Sequence, residues 1–172
     1  DILSGLVGSE MCIRDSYNSY ILEDVMNLEF NIAIHVLAFL TKHNHQRYHS
    51  TALAELTCIN PVQLRRVATL LTYHDYIVTI RGKSGGYQAN DMTKHVKLSN
   101  LYQYFVLDKQ PNQKRIFTGK QSSHCIIARH IADTMTYHQN QEANHILNYY
   151  SSITIQDIVH QIQQEDNINE QI

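Results

Sequence analysis

Asn60-Pro61-Val62-Gln63-Leu64-Arg65-Arg66-Val67-Ala68-Thr69-Leu70-Leu71-Thr72-Tyr73 decides the reading of this chain. Asn is a favoured N-cap, Pro suits the first helical position, and Gln three residues after the cap closes a capping box. The spacing predicts a helix to about Tyr73 with Leu64, Val67, Ala68 and Leu71 inward. Val62, Arg66, Thr69 and Tyr73 then fall on the opposite face, with Arg65 at its edge. Upstream, Cys58-Ile59 makes a tight turn after a short helix, Thr51 to Thr57, capped by Ser50 and sharing Leu53 and Leu56 on one face. Before that, Leu28 to Lys42 carries Leu28, Ile32, Val36, Phe39 and Leu40 at helical spacing with further apolar residues between, the pattern of a largely buried helix.

Downstream, Tyr76 to Ile80 is β-rich, and Arg81-Gly82-Lys83-Ser84-Gly85-Gly86 separates it from Tyr87-Gln88-Ala89. Two short strands around a Gly-rich turn make a hairpin with a basic tip. The order α-α-turn-α-β-β is that of a winged helix-turn-helix. Such a third helix can enter a major groove, where Arg65 and Arg66 reach phosphate oxygens or guanine edges. The wing places Arg81 and Lys83 beside glycines that permit close approach to a DNA backbone. A solvated helix face is the plain alternative for the paired arginines.

Further on, a short helix is expected over Leu98 to Phe105, and Val106 to Gln121, with Pro111, reads as a connector. Ser122 or Ser123 opens a long helix to about Tyr150, with Ile127, Ile131, Met135 and His138 on one stripe. Thr154-Ile155-Gln156-Asp157 is a capping box for a last amphipathic helix. The fold class is therefore mainly α: a winged helix-turn-helix over residues 26–97, connector and dimerisation helices over 98–164, and a frayed tail over 165–172.

Composition narrows the function. The 172 residues are 43% hydrophobic and 17% charged, with six Gly and two Pro, which excludes a disordered or collagen-like chain. The net charge of -2 conceals a basic middle, 8 Lys and Arg against 3 Asp and Glu over 42–97, and an acidic end, 1 against 6 over 121–172. No apolar run approaches a membrane span. There is no P-loop, dinucleotide fingerprint or nucleophile elbow, so no enzyme is expected. Three cysteines suit a reducing compartment, and the cytoplasm is the expected location. Residues 1–25 read differently: Leu6 to Asp15 matches an in-frame translation of a transposase-type sequencing adapter. Met26 is the expected natural start, the alternative being a genuine N-terminal arm.

Leu53-Ala54-Glu55-Leu56, Leu64-Arg65-Arg66-Val67 and above all Ile80-Arg81-Gly82-Lys83-Ser84-Gly85-Gly86-Tyr87 resemble the winged helix-turn-helix regulators of the IscR, NsrR and CymR family. The likeness runs from Met26 to about Gln164. It implies a homodimeric bacterial transcription regulator, usually a repressor, on near-palindromic double-stranded DNA. By position it places Val62, Gln63, Arg65, Arg66 and Thr69 at or near the groove, with Arg81 and Lys83 on the wing. Iron–sulfur members carry three closely spaced cysteines near the start of the long helix. Here only Cys125 stands there, beside His124 and His130, so no cluster or other cofactor is expected. The chain is more similar to the cluster-free, thiol-sensing branch, nearest to its hypochlorite-responsive repressors.

That branch directs attention to Cys58 and Cys125. Cys125 falls in the first turn of its expected helix with Arg129 one turn on, and both the positive helix end and the guanidinium favour a reactive sulfur. Cys58 lies in the turn of the helix-turn-helix. The plain alternative for each is a small buried hydrophobe; for Cys58 it is the resemblance that points to a sensor role. A redox switch would join Cys58 of one subunit to Cys125 of the other. His43, His45 and His49 crowd one loop without ligand-like companions and are expected to be solvated, with no metal. A small-molecule-sensing repressor of the same fold and a winged-helix protein-interaction module remain alternatives.

Overall fold

The first helix, α1 (Leu28–Lys42), is the hub of the molecule because its apolar residues cover more than one face. The computed structural model describes residues 28–82, 85–109 and 118–169; residues 1–25 and Met26 lie outside them. Phe30, Ile32, Ala33, Val36, Leu37, Ala38 and Leu40 are all buried, whereas Leu28 is exposed at the helix start. Against α1 pack α2 (Ser50–Thr57) and α3 (Pro61–Tyr73), contributing Leu53, Ala54, Leu64, Val67, Ala68 and Leu71 to one continuous core.

Two details of α2 differ from expectation. Ser50 is its first residue rather than its cap; the N-cap is His49, whose side chain makes no capping bond. Leu56 is 59% exposed, and the buried face runs through Leu53, Ala54 and Thr57 instead. Thr57 is tolerated inside because its hydroxyl donates to the Leu53 carbonyl at 2.6 Å, satisfying the group within its own helix.

After α3, strands β1 (Ile77–Ile80) and β2 (Gly86–Ala89) pair antiparallel, from Ile77 opposite Ala89 to Ile80 opposite Gly86. A third segment joins this sheet. Tyr48, after α1, makes an isolated antiparallel bridge to Tyr87.

A 3-10 turn (Thr93–His95) leads to α4 (Leu98–Tyr102), which continues as a π-helical turn over Gln103–Leu107. The expected helix to Phe105 is thus an α-turn followed by a wider one that buries Phe105. The long helix α5 (Ile126–Tyr150) starts later than the serines suggested: Cys125 is its N-cap, not a residue of its first turn. Ser123 Oγ accepts a bond from the Cys125 N–H at 3.2 Å, which explains why the serine reads as a helix-start signal.

The last helix, α6 (Ile155–Asn169), opens on the expected capping box, with the Asp157 carboxylate accepting from the Thr154 N–H and the Asp157 N–H returning to the Thr154 hydroxyl. It continues past residue 165 through Asn169, and Ile155 and Val159 enter the core shared with α1. No described helix is long and apolar enough to cross a membrane.

Candidate nucleic-acid interface

The exposed face of α3 is built from its first turn. Asn60 Oδ1 accepts from the N–H groups of Val62 (2.9 Å) and Gln63 (3.4 Å), and Pro61 supplies the helical φ at a position that needs no donor. With Leu64, Val67, Ala68 and Leu71 locked in the core, Val62, Gln63, Arg65, Arg66 and Thr69 are all exposed on the other side. Thr69 donates its hydroxyl proton to the Arg65 carbonyl at 2.8 Å, so toward solvent it offers a methyl group and acceptor lone pairs. Val62 and Tyr73 extend this face as exposed apolar surface.

The wing stands beside it. Burial raises the Tyr87 phenol, and the Arg65 guanidinium opposes that shift, so Arg65 lies within electrostatic reach of β2. Arg81 is exposed at the end of β1. Lys83, the other basic residue expected at the tip, lies outside the described residues, as does Ser84. Two glycines are structural here. A side chain at Gly85 would place its Cβ 2.2 Å from the Ile80 carbonyl oxygen. At Gly86, where φ is +144°, it would fall 2.4 Å from the Tyr48 carbonyl oxygen.

Three charged residues of this region escape the sequence reading. Arg47 reaches the wing from 41 positions away, its Nη2 donating to Gln88 Oε1 at 3.5 Å. Glu29, in the first turn of α1, binds Arg66 Nε at 2.9 Å through Oε1 and contacts Lys109 Nζ through Oε2. Nothing local signals these pairs, because each is made by tertiary packing.

Both described cysteines are free and exposed. Cys58 is the C-cap of α2 in the left-handed conformation (φ 54°, ψ 30°), the hinge residue between α2 and α3. Cys125 caps α5. Of the histidines, His43 is half-buried with its ring 4.6 Å from that of Phe39, while His45 and His49 are exposed. A polar cleft of about 380 Å³ lies between the end of α1, β2, the 3-10 turn and the start of α6, lined by Thr41, Asn44, Gln88, Asp91, Lys94 and Gln156 among others.

Along α5 no residue is buried; Ile126, Ile127, Met135, Tyr137 and Tyr149 are exposed apolar groups on a helix of 25 residues.

Residues 26–161 match the family model Rrf2, described as iron-dependent transcriptional regulator. A solved structure from Lactobacillus plantarum, described as a transcriptional regulator, is 25% identical with a TM-score of 0.68, covering 83% of this chain and 99% of that one. At 13% identity the chain shares its fold with T. potens IscR (TM-score 0.54, covering 81% and 89%). The same holds for Staphylococcus aureus CymR (13% identity, TM-score 0.50, covering 76% and 94%). No curated protein sequence matches the chain. The iron in the family description meets a poor donor set. Cys125 is the sole cysteine after residue 58, and no group of three His, Cys, Asp or Glu able to hold a metal occurs among the described residues. An iron–sulfur cluster takes several thiolates, commonly four, so these residues do not fit one.

Proposed function

The chain belongs to the Rrf2 family of transcriptional regulators, and from that premise we propose that it is a cytoplasmic DNA-binding repressor, working as a homodimer and released by cysteine oxidation. Members of this family are regulators rather than enzymes. The observation that carries the reading is the exposed face of α3, where Val62, Gln63, Arg65, Arg66 and Thr69 stand beside a wing bearing Arg81. In this reading α3 enters the major groove and reads bases, while Arg81 and Lys83 bind phosphates or the adjacent minor groove.

The exposed apolar residues of α5 support dimerisation: a helix of this length with nothing buried gains stability by covering its stripe with a second copy. Two recognition helices related by a two-fold axis read a near-palindromic operator.

Cys58 and Cys125 form the proposed switch. A two-electron oxidant of the hypochlorite or peroxide class converts one thiolate to a sulfenic acid. The thiolate of the other residue, from the partner subunit, attacks that sulfur; the S–S bond forms and hydroxide leaves, to be protonated to water. Because Cys58 sits in the α2–α3 turn, the bond re-aims α3 and lowers operator affinity.

The polar cleft beside β2 favours a second reading, a regulator that senses a small polar ligand. Operator binding measured with and without oxidant decides between them. In the first reading oxidant releases the wild type, while a variant lacking Cys58 and Cys125 stays bound; a wild type that stays bound under oxidant favours the second.

A further inference from the structure

Arg66 is not a free arginine on the exposed face of α3. Its Nε is bound to Glu29 Oε1 at 2.9 Å, yet its side chain remains 69% exposed, whereas that of Glu29 is only 16% exposed. The carboxylate comes from α1, 37 positions earlier in the chain, and the α1 N-terminus is itself a favourable place for negative charge. On its other side Glu29 meets Lys109, whose ammonium also lies over the Phe105 ring. One carboxylate is thus shared by two cations, and the group as a whole stays positive.

This arrangement does two things for an arginine that must read a base. It removes rotamer freedom before DNA arrives, and by engaging Nε it leaves the two Nη groups of a largely exposed side chain to meet an outside acceptor. A guanidinium so held is suited to the paired O6 and N7 acceptors of guanine. An acidic residue near DNA would otherwise repel phosphate; Lys109 supplies the charge that offsets it.

We propose that Glu29 is the positioning residue for Arg66, presenting its guanidinium to a guanine edge and so setting base preference at one operator position, with Lys109 as its counter-charge. The proposal rests on the DNA-binding reading above.

The test uses the full reduced chain on randomised duplex DNA. Arg66→Ala identifies the position whose guanine preference depends on Arg66. Glu29→Gln and Glu29→Ala are each expected to lower that preference about tenfold while preferences elsewhere persist. Affinity for non-specific duplex should not fall, because a negative charge has been removed. Glu29→Ala added to Arg66→Ala should cost nothing further at that position. Unchanged preference in both Glu29 variants overturns the proposal, as does a loss spread evenly over all sequences, the mark of a merely structural role. A gain in preference also overturns it, since Glu29 would then be withholding Arg66. If the wild-type chain enriches no motif at all, the DNA-binding reading falls first and takes the proposal with it.

Discussion

Tyr48 and Tyr87 exchange both backbone hydrogen bonds, Tyr48 N–H donating to the Tyr87 carbonyl at 3.0 Å and Tyr87 N–H to the Tyr48 carbonyl at 2.8 Å. The wing is therefore tied to the chain segment that leaves α1, and Gly86 is the residue that lets the two backbones meet. Gly86→Ala should lower stability by more than about 2 kcal/mol, because the added Cβ meets main chain and the φ is unfavourable as well. Gly82→Ala shares a positive φ (+112°) but would meet no atom of the described residues within 4 Å, and should cost about 1 kcal/mol. Thermal unfolding of the two variants checks the order; equal losses would show that the close approach to Tyr48 is not the constraint.

Thr93 is wholly buried and joins the base of the wing to the turn after it. Its hydroxyl donates to the Tyr76 carbonyl at 2.6 Å and accepts from the Asn90 N–H at 2.8 Å. Thr93→Val keeps the shape and strands both partners, so a loss of about 1–3 kcal/mol is expected in denaturant unfolding. Thr93→Ser, which retains the hydroxyl, should recover part of it.

Asp157 gives a pH dependence. The Thr154 hydroxyl and N–H donate to its carboxylate and hold its pKa below the ordinary value. With the folded pKa depressed, this contribution is complete above the unfolded carboxylate pKa and is lost as pH falls through the folded one. The start of α6 should therefore loosen only in acid, seen as faster amide exchange around Ile155 to Ile158. Asp157→Asn should remove that acid dependence while leaving the helix in place.

The proposed switch makes a gel-level prediction. With Cys12, the third cysteine of the chain and one of residues 1–25, replaced by Ser throughout, oxidised protein should run as a reducible covalent dimer, while further Cys58→Ser or Cys125→Ser replacement should give a monomer that keeps binding DNA under oxidant. A covalent dimer in either single variant contradicts the pairing.

Much of this architecture is written in local chemistry. Asn60-Pro61 and Thr154 with Asp157 announce helix starts because their side chains bond the neighbouring N–H groups directly. The wing glycines are legible because the turn needs them. What the sequence hides is set by partners far along the chain. Leu56 looks like a core residue until packing against α1 and α3 selects Ala54 and Thr57 instead. Ser122 and Ser123 resemble caps, yet the chain folds back first, with the Lys120 N–H donating to the Ala128 carbonyl at 2.8 Å, and α5 begins only after Cys125. For the site, the arginines of α3 are visible as a pair, but the carboxylate that holds one of them is not.

In the proposed reading α3 and the wing form one DNA-binding face. Its most direct test is the salt dependence of binding to the motif the protein enriches, for wild type and for a variant carrying Arg65→Ala and Arg81→Ala. The logarithm of affinity is expected to fall linearly with the logarithm of salt concentration, and the variant to bind more weakly with a slope shallower by about two ions. Tight binding indifferent to salt, or a variant with the wild-type slope, would contradict it.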